Sequence, residues 1–212
     1  MSEYHPLWKT QLQSGLEEMG IALGNDQQAL LLDYLALLVK WNSAFNLTAI
    51  RDPGEMVARQ LLDSLSILNL LRSERVLDVG TGPGLPGIPL AIALPGVHFT
   101  LLDSNGKKTR FVQRAVTTLK LPNVDVVHGR VESYRPKSPF DTVTSRAFAA
   151  LPKMLELTAH LVAADGQLLA MKGTVPQDEI NEVEQQSHKI SVTPLEVPDT
   201  DGERHAILLK TE

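Results

Sequence analysis

The sequence predicts an α/β fold: a mostly parallel, doubly wound sheet that ends in an antiparallel hairpin and is preceded by a helical extension. Three observations predict it. From Arg75 onward, short apolar runs alternate with longer stretches of helical spacing. In the first run, Val76, Leu77 and Val79 suit a strand covered on both faces, and the run breaks into a turn carrying Gly80, Gly82 and Gly84. The chain closes with two strand-like runs, Ile190 to Val197 and His205 to Leu209, joined by Asp199-Thr200-Asp201-Gly202, a loop that permits an antiparallel hairpin.

The first third reads as helices. Leu7, Leu12, Leu16 and Met19 fall on one face, and Gly20 and Gly24 interrupt the pattern. A second helix opens at Asn25 or Asp26 and carries Leu30, Leu31, Tyr34, Leu35, Leu38, Trp41 and Phe45. Asp52-Pro53-Gly54-Glu55 opens a third, with a capping acid, a proline in the first turn and a glutamate three residues after the cap. That helix runs towards Leu71, and Arg59 and Asp63 are spaced to pair across one turn. We expect residues 1–72 to form an extension packed on a core of residues 73–212, in one compact unit.

Within the core, Val97 to Leu102 is the second strand, Lys107 to Lys120 a helix, Val124 to Val127 the third strand and Phe140 to Thr144 the fourth. A helix from Ala149 to Val162, a strand from Leu168 to Met171 and a helix from Gln177 to Ser187 precede the hairpin.

The glycine turn carries the chemistry. Glycines remove side chains where a ligand approaches the backbone, and the helix that follows aims free N–H groups at it. Gly82-Pro83-Gly84-Leu85-Pro86-Gly87 satisfies the dinucleotide pattern, but Asp78, two residues before Gly80, would repel a pyrophosphate. A carboxylate there suits a cationic ligand, and Asp78 with Gly80, Gly82 and Gly84 resembles the first motif of the S-adenosylmethionine-dependent methyltransferases. Asp103 ends the second strand about 20 residues beyond the turn, where a nucleoside-binding fold places the acid for the ribose hydroxyls; capping the next helix is its other reading.

Composition excludes several classes. With 43% hydrophobic residues in 212, the chain suits one α/β domain with an extension. It lacks an apolar run that would span a bilayer and a basic-then-apolar leader, so we expect a cytoplasmic protein that does not engage membranes. It contains no cysteine, hence no disulfide, thiol nucleophile or cysteine zinc site, and its six histidines show no metal-ligand spacing, so no metal is expected. A formal net charge of −5 confines any nucleic-acid binding to a local patch.

Across most of its length the sequence resembles the bacterial 16S rRNA guanine N-7 methyltransferase family, also called glucose-inhibited division protein B. The resemblance rests on Lys40-Trp41-Asn42, Asn46-Leu47-Thr48, Leu62-Asp63-Ser64 and Asp78-Val79-Gly80-Thr81-Gly82-Pro83-Gly84-Leu85-Pro86-Gly87. It extends to Leu102-Asp103-Ser104, Arg130-Val131-Glu132, Ser145-Arg146-Ala147-Phe148, Lys172-Gly173 and Asp201-Gly202-Glu203-Arg204-His205. It implies a Rossmann-like class I methyltransferase fold and methyl transfer from S-adenosylmethionine to N-7 of one guanine in a decoding-site hairpin loop of 16S rRNA. The substrate would be 16S rRNA or the small ribosomal subunit, with no obligatory protein partner, and loss of the enzyme would alter streptomycin sensitivity. It also implies that Gly80, Leu85, Val131, Glu132 and Arg146 contact the cofactor.

N-7 of guanine has a free lone pair and no proton to lose, so we expect no general base, and positioning supplies most of the catalysis. Arg146, after the fourth strand, is the candidate link between cofactor and base; a salt bridge to Glu132 or Asp78 is its alternative. Lys107, Arg110 and Arg114 share a helix face with Lys108 beside them, and Lys172, Arg204 and His205 belong to the same expected rim. These could hold RNA phosphates or simply be solvated. Phe148 is the candidate for stacking on an unpaired base, while Trp41 and Phe45 fit the core better. A small-molecule methyltransferase, an NAD-dependent oxidoreductase and a non-catalytic RNA-binding module are the competing readings.

Overall fold

The computed structural model describes residues 5–71, 74–185 and 189–210. The expected boundary between extension and core, at residues 72 and 73, lies outside them, as do His188 and the end of the helix expected over 177–187.

The N-terminal segment is helical as expected, with Leu12 and Leu16 on its inner face, but Trp8 takes the place expected for Leu7. In α1 (His5–Glu18) the buried side chains are Trp8, Leu12 and Leu16, while Leu7 is half exposed. Trp8 belongs to the same stripe, at i+4 and i+8 from its partners, and its indole N–H donates to the Pro53 carbonyl at 2.8 Å. α2 (Asn25–Phe45) starts where expected, with the Gln27 side chain accepting from the Gly24 N–H at 3.0 Å. Gln27 also donates to the Ile92 and Ala93 carbonyls, so the opening of α2 closes the end of a core helix. Leu31, Tyr34, Leu35 and Leu38 are buried; Phe45, expected inside, is exposed.

The third helix departs from expectation. α3 (Pro53–Met56) is capped by Asp52, whose carboxylate accepts from the Gly54 N–H at 2.8 Å. It then widens into a π-helical segment, Val57–Leu62, closes with α4 (Asp63–Leu65), and does not run on to Leu71. The wider turn sends the Asp63 N–H to the Ala58 carbonyl, five residues back. Arg59 and Asp63 therefore do not pair: Arg59 bonds Glu55, and Asp63 turns towards the core.

The core is a seven-stranded sheet in the order β3-β2-β1-β4-β5-β7-β6. Its strands are β1 (Arg75–Val79), β2 (His98–Asp103), β3 (Val124–His128), β4 (Phe140–Arg146), β5 (Val162–Lys172), β6 (Lys189–Pro194) and β7 (His205–Lys210). β1 to β5 are parallel, and β7 lies antiparallel between β5 and β6. α5 (Gly87–Ala93) and α6 (Gly106–Leu119) pack on one face with α1 and α2, while α7 (Leu151–Thr158) and α8 (Gln177–Glu184) cover the other. Several expected boundaries move, among them that of the helix expected over Ala149 to Val162, which is α7 and ends at Thr158. β5 already begins at Val162, and β6 stops at Pro194, which leaves a hairpin connection longer than Asp199 to Gly202.

This topology places the site. The strand order reverses between β1 and β4, and in open α/β sheets ligands bind where such a reversal leaves a crevice at the carboxyl ends of the strands. The residues at those ends are Val79, Asp103, His128 and Arg146. Among the described residues no helix is long and apolar enough to cross a membrane, and no cluster of three or more His, Cys, Asp or Glu is placed to hold a metal.

Candidate active site

The glycine loop is held from four sides. Gly80 and Thr81 donate backbone N–H groups to the Leu102 carbonyl at 2.9 and 3.1 Å. The Gly82 N–H donates to Asp103 Oδ2 at 2.8 Å, and Asp103 Oδ1 accepts from the Asn105 N–H at 2.7 Å. From below, Asp78 Oδ2 accepts from the Thr81 hydroxyl at 2.6 Å and from the Gly87 N–H at 2.9 Å. From α2, the Tyr34 hydroxyl donates to the Pro83 carbonyl at 3.0 Å. Gly80 has φ +67° and lies against Phe148, whose Cδ2 would be 2.9 Å from an added Cβ, so the loop needs glycine there for both conformation and space.

A cavity of about 390 Å³ opens above this loop, within the ordinary range for ligand pockets. Gly80, Asp103, Lys108, Val131, Glu132 and Phe148 line it. Asp103 comes from the end of β2, and Val131 and Glu132 from a short 3-10 turn after β3. Phe148 arrives after Ala147, which takes the left-handed conformation at φ 56° and turns the chain back over Gly80. A larger cavity, about 690 Å³, lies between the end of α1, the segment around residues 65–70 and the hairpin connection, and touches neither the glycine loop nor Asp103.

The structure separates residues that the sequence grouped. Asp78 is completely buried below the loop, so it braces the turn and does not line the cavity. Burial raises its pKa to about 6, against the opposing Thr81 and Gly87 hydrogen bonds. Gly82, Gly84 and Leu85 do not line the cavity: Gly82 is tied to Asp103, Gly84 has φ +100° with Ile88 against it, and Leu85 is buried. Lys108 lines the cavity over Gly80, with its ammonium 3.9 Å from where a Cβ on Gly82 would stand, and does not belong to an outer basic face.

The expected basic rim divides in two. Lys107, Arg110 and Arg114 lie on α6; Arg110 folds back onto the Gly106 carbonyl at 2.9 Å, and Arg114 borders Trp41 and Phe45. Those two rings stack with centroids 5.2 Å apart. Lys172 and Arg204 instead meet Arg146 around a separate cavity of about 170 Å³, which shares Ala147 with the cavity over Gly80. His205 bonds the Gly173 carbonyl at 2.6 Å.

Arg146 makes neither of the ion pairs weighed for it, with Glu132 or Asp78. It reaches across to the π-helical segment, where Nη1 donates to Asp63 Oδ2 at 2.8 Å and to the Arg59 carbonyl at 3.0 Å, and Nη2 donates to Gln60 Oε1 at 2.9 Å. A regular α-helix would have spent the Arg59 carbonyl on the Asp63 N–H; the π turn frees it for Arg146. Arg204 Nε completes the cluster at 3.2 Å from Asp63 Oδ1. Sequence reading missed Asp63, although it stands in the quoted Leu62-Asp63-Ser64 match, because the spacing to Arg59 offered a local partner.

The cavity's donor set fits a nucleoside that carries a positive charge. The Asp103 and Glu132 carboxylates can accept hydroxyl and amine protons, and Val131 and Leu157 offer apolar surface to a flat ring. Lys108 and Arg130 are balanced by the two acids, which is not the cationic cradle that a pyrophosphate requires.

Comparison with known proteins gives the same reading. Residues 27–207 match the family model described as rRNA small subunit methyltransferase G. The Marinobacter nauticus protein named ribosomal RNA small subunit methyltransferase G is 52% identical over 205 residues, covering 97% of this chain and 96% of that one. A Pseudomonas aeruginosa protein of the same name is 50% identical over 201 residues, covering 94% of each. Solved structures share the fold at lower identity. A putative O-methyltransferase from Klebsiella pneumoniae aligns with TM-score 0.63 at 15% identity over 99% of this chain and 100% of that one. A SAM-dependent methyltransferase from Aquifex aeolicus aligns with TM-score 0.55 at 19% identity over 76% and 94%. On this sequence identity, sustained over nearly the whole chain, the protein belongs to the rRNA small subunit methyltransferase G family and is an S-adenosylmethionine-dependent methyltransferase.

Proposed function

We propose that this chain transfers a methyl group from S-adenosylmethionine to N-7 of a guanine in a decoding-site hairpin loop of 16S rRNA, acting in the cytoplasm on the small subunit or its RNA. The observation that carries the reading is the convergence of Gly80, Asp103 and Val131 on one cavity at the switch point of the sheet.

The residues divide the work. Asp103 accepts from the ribose hydroxyls of the cofactor, using lone pairs left beside the two backbone N–H groups it already binds. Val131 packs on the adenine and the backbone at Glu132 meets its edge. Gly80 lets the cofactor approach the main chain, and Asp78 and Tyr34 keep the loop in that shape. The bound donor supplies an electrophilic methyl on a sulfonium. No side chain has to remove a proton, because N-7 attacks through its lone pair. The chain's contribution is to hold the two reactants in line, which removes on the order of 7–11 kcal/mol from a barrier.

The test is incubation of labelled S-adenosylmethionine with small subunits from cells that lack the protein, followed by mapping of the modified base. Label at one guanine, released as 7-methylguanine, is the expected result. Label in a metabolite fraction with none in RNA would make the chain a small-molecule methyltransferase.

A further inference from the structure

We propose that the smaller cavity beside Ala147 is the subsite for the target base, and that Asp63 is the positioning residue that aims Arg146 and Arg204 into it. This rests on methyl transfer to a purine and deepens that reading. The cavity has less than half the volume of the cofactor cavity, about 170 against 390 Å³, which suits one heterocycle and not a second nucleoside donor. Ala147 lies in both walls, so a base seated there faces a donor in the larger space. Met171, Leu195 and Ala147 offer apolar surface for the ring faces.

The charges decide what kind of group belongs there. Three cations line the cavity against two carboxylates: Lys172 pairs with Glu179 at 3.0 Å, while Arg146 and Arg204 share the two oxygens of the one buried Asp63 carboxylate at 2.8 and 3.2 Å, which leaves a single net positive charge. Guanidinium groups held by a shared buried carboxylate are fixed in place to donate to a neutral acceptor. Among the described residues, Nε of Arg146 and Nη2 of Arg204 have no hydrogen-bond partner. Guanine presents O6 beside N-7, whereas adenine presents an amino group there, so a donor at that position selects guanine. In the reaction the N-7 lone pair forms the bond to the methyl carbon, and the electrons of the broken carbon–sulfur bond go to sulfur. Positive charge thus passes onto the base with no proton leaving, and Asp63 offsets one of the two guanidinium charges beside it.

The experiment compares wild type, Asp63→Asn and Arg204→Ala in single-turnover transfer of label to small subunits from cells lacking the protein. Cofactor affinity is measured by calorimetry and subunit affinity by filter binding. A misplaced guanidinium should lower the transfer rate about a hundredfold, with cofactor and subunit affinities each within about threefold of wild type, a split that a merely structural residue does not produce. Arg204→Ala carries the test if Asp63→Asn melts at the assay temperature. Transfer at the wild-type rate by both variants overturns the proposal. So does a loss confined to subunit affinity with a shallower salt dependence, which would make the cluster a phosphate clamp. A wild-type protein that labels no RNA removes the functional reading and the subsite with it.

Discussion

The Tyr34 hydroxyl donates to the Pro83 carbonyl at 3.0 Å, joining α2 to the middle of the glycine loop. Burial holds the phenol far above its ordinary pKa, so it remains a donor at any physiological pH. Tyr34→Phe leaves that carbonyl unsatisfied and should cost about 1–3 kcal/mol in denaturant unfolding. It should also weaken S-adenosylmethionine binding, because the loop loses one of its restraints. A variant with unchanged affinity would separate the extension from the cofactor site.

Asp78 predicts a pH dependence. Its pKa is about 6 folded against an ordinary 3.8, so the folded protein keeps this proton over a range where the unfolded chain has released it. The contribution is complete below the lower value and lost as pH rises through the upper one, so lowering pH from 7 to 5 should stabilise the fold by about 1 kcal/mol through this group. Asp78→Asn can still accept from Thr81 and Gly87 and should flatten the profile in that window. Chemical denaturation of both proteins across the range reads this directly, and parallel profiles would contradict it.

Gly80→Ala tests the closeness of Phe148 to the loop. At φ +67° the added Cβ is strained and would sit 2.9 Å from the ring. Destabilisation of about 1–2 kcal/mol is expected, together with a loss of cofactor affinity greater than that of a paired Gly96→Ala control, whose site is open.

The α6 face tests RNA docking away from the chemistry. Replacing Arg110 and Arg114 together by alanine should weaken subunit binding and reduce its log–log salt slope by about 2 if each meets a phosphate. Cofactor affinity should not change. An unaltered slope would leave α6 out of the RNA interface.

The parallel strands and the glycine loop were legible because local physics writes them: buried parallel strands need apolar runs, and a backbone–ligand approach needs glycine. The Asp103 position was legible for the same reason, lying at a strand end a fixed distance beyond the loop. What was hidden depends on contacts between distant segments. Arg59 and Asp63 matched the spacing of an α-helical pair, and the π turn that separates them leaves no mark in the spacing. Asp78 carried the right residue type, but only the fold shows it beneath the loop and not in the cavity. Leu7 and Trp8 are both large and apolar neighbours, and the register of α1 against Pro53 decides which is buried.

The central claim is that the cavity over Gly80 holds the methyl donor by its ribose through Asp103. Titration calorimetry of S-adenosylmethionine into the wild-type protein and Asp103→Asn tests it most directly. The account predicts one site per wild-type chain and affinity lowered at least roughly tenfold in the variant, which loses a charged acceptor. Equal binding by both proteins, or no heat from the wild type, would contradict it.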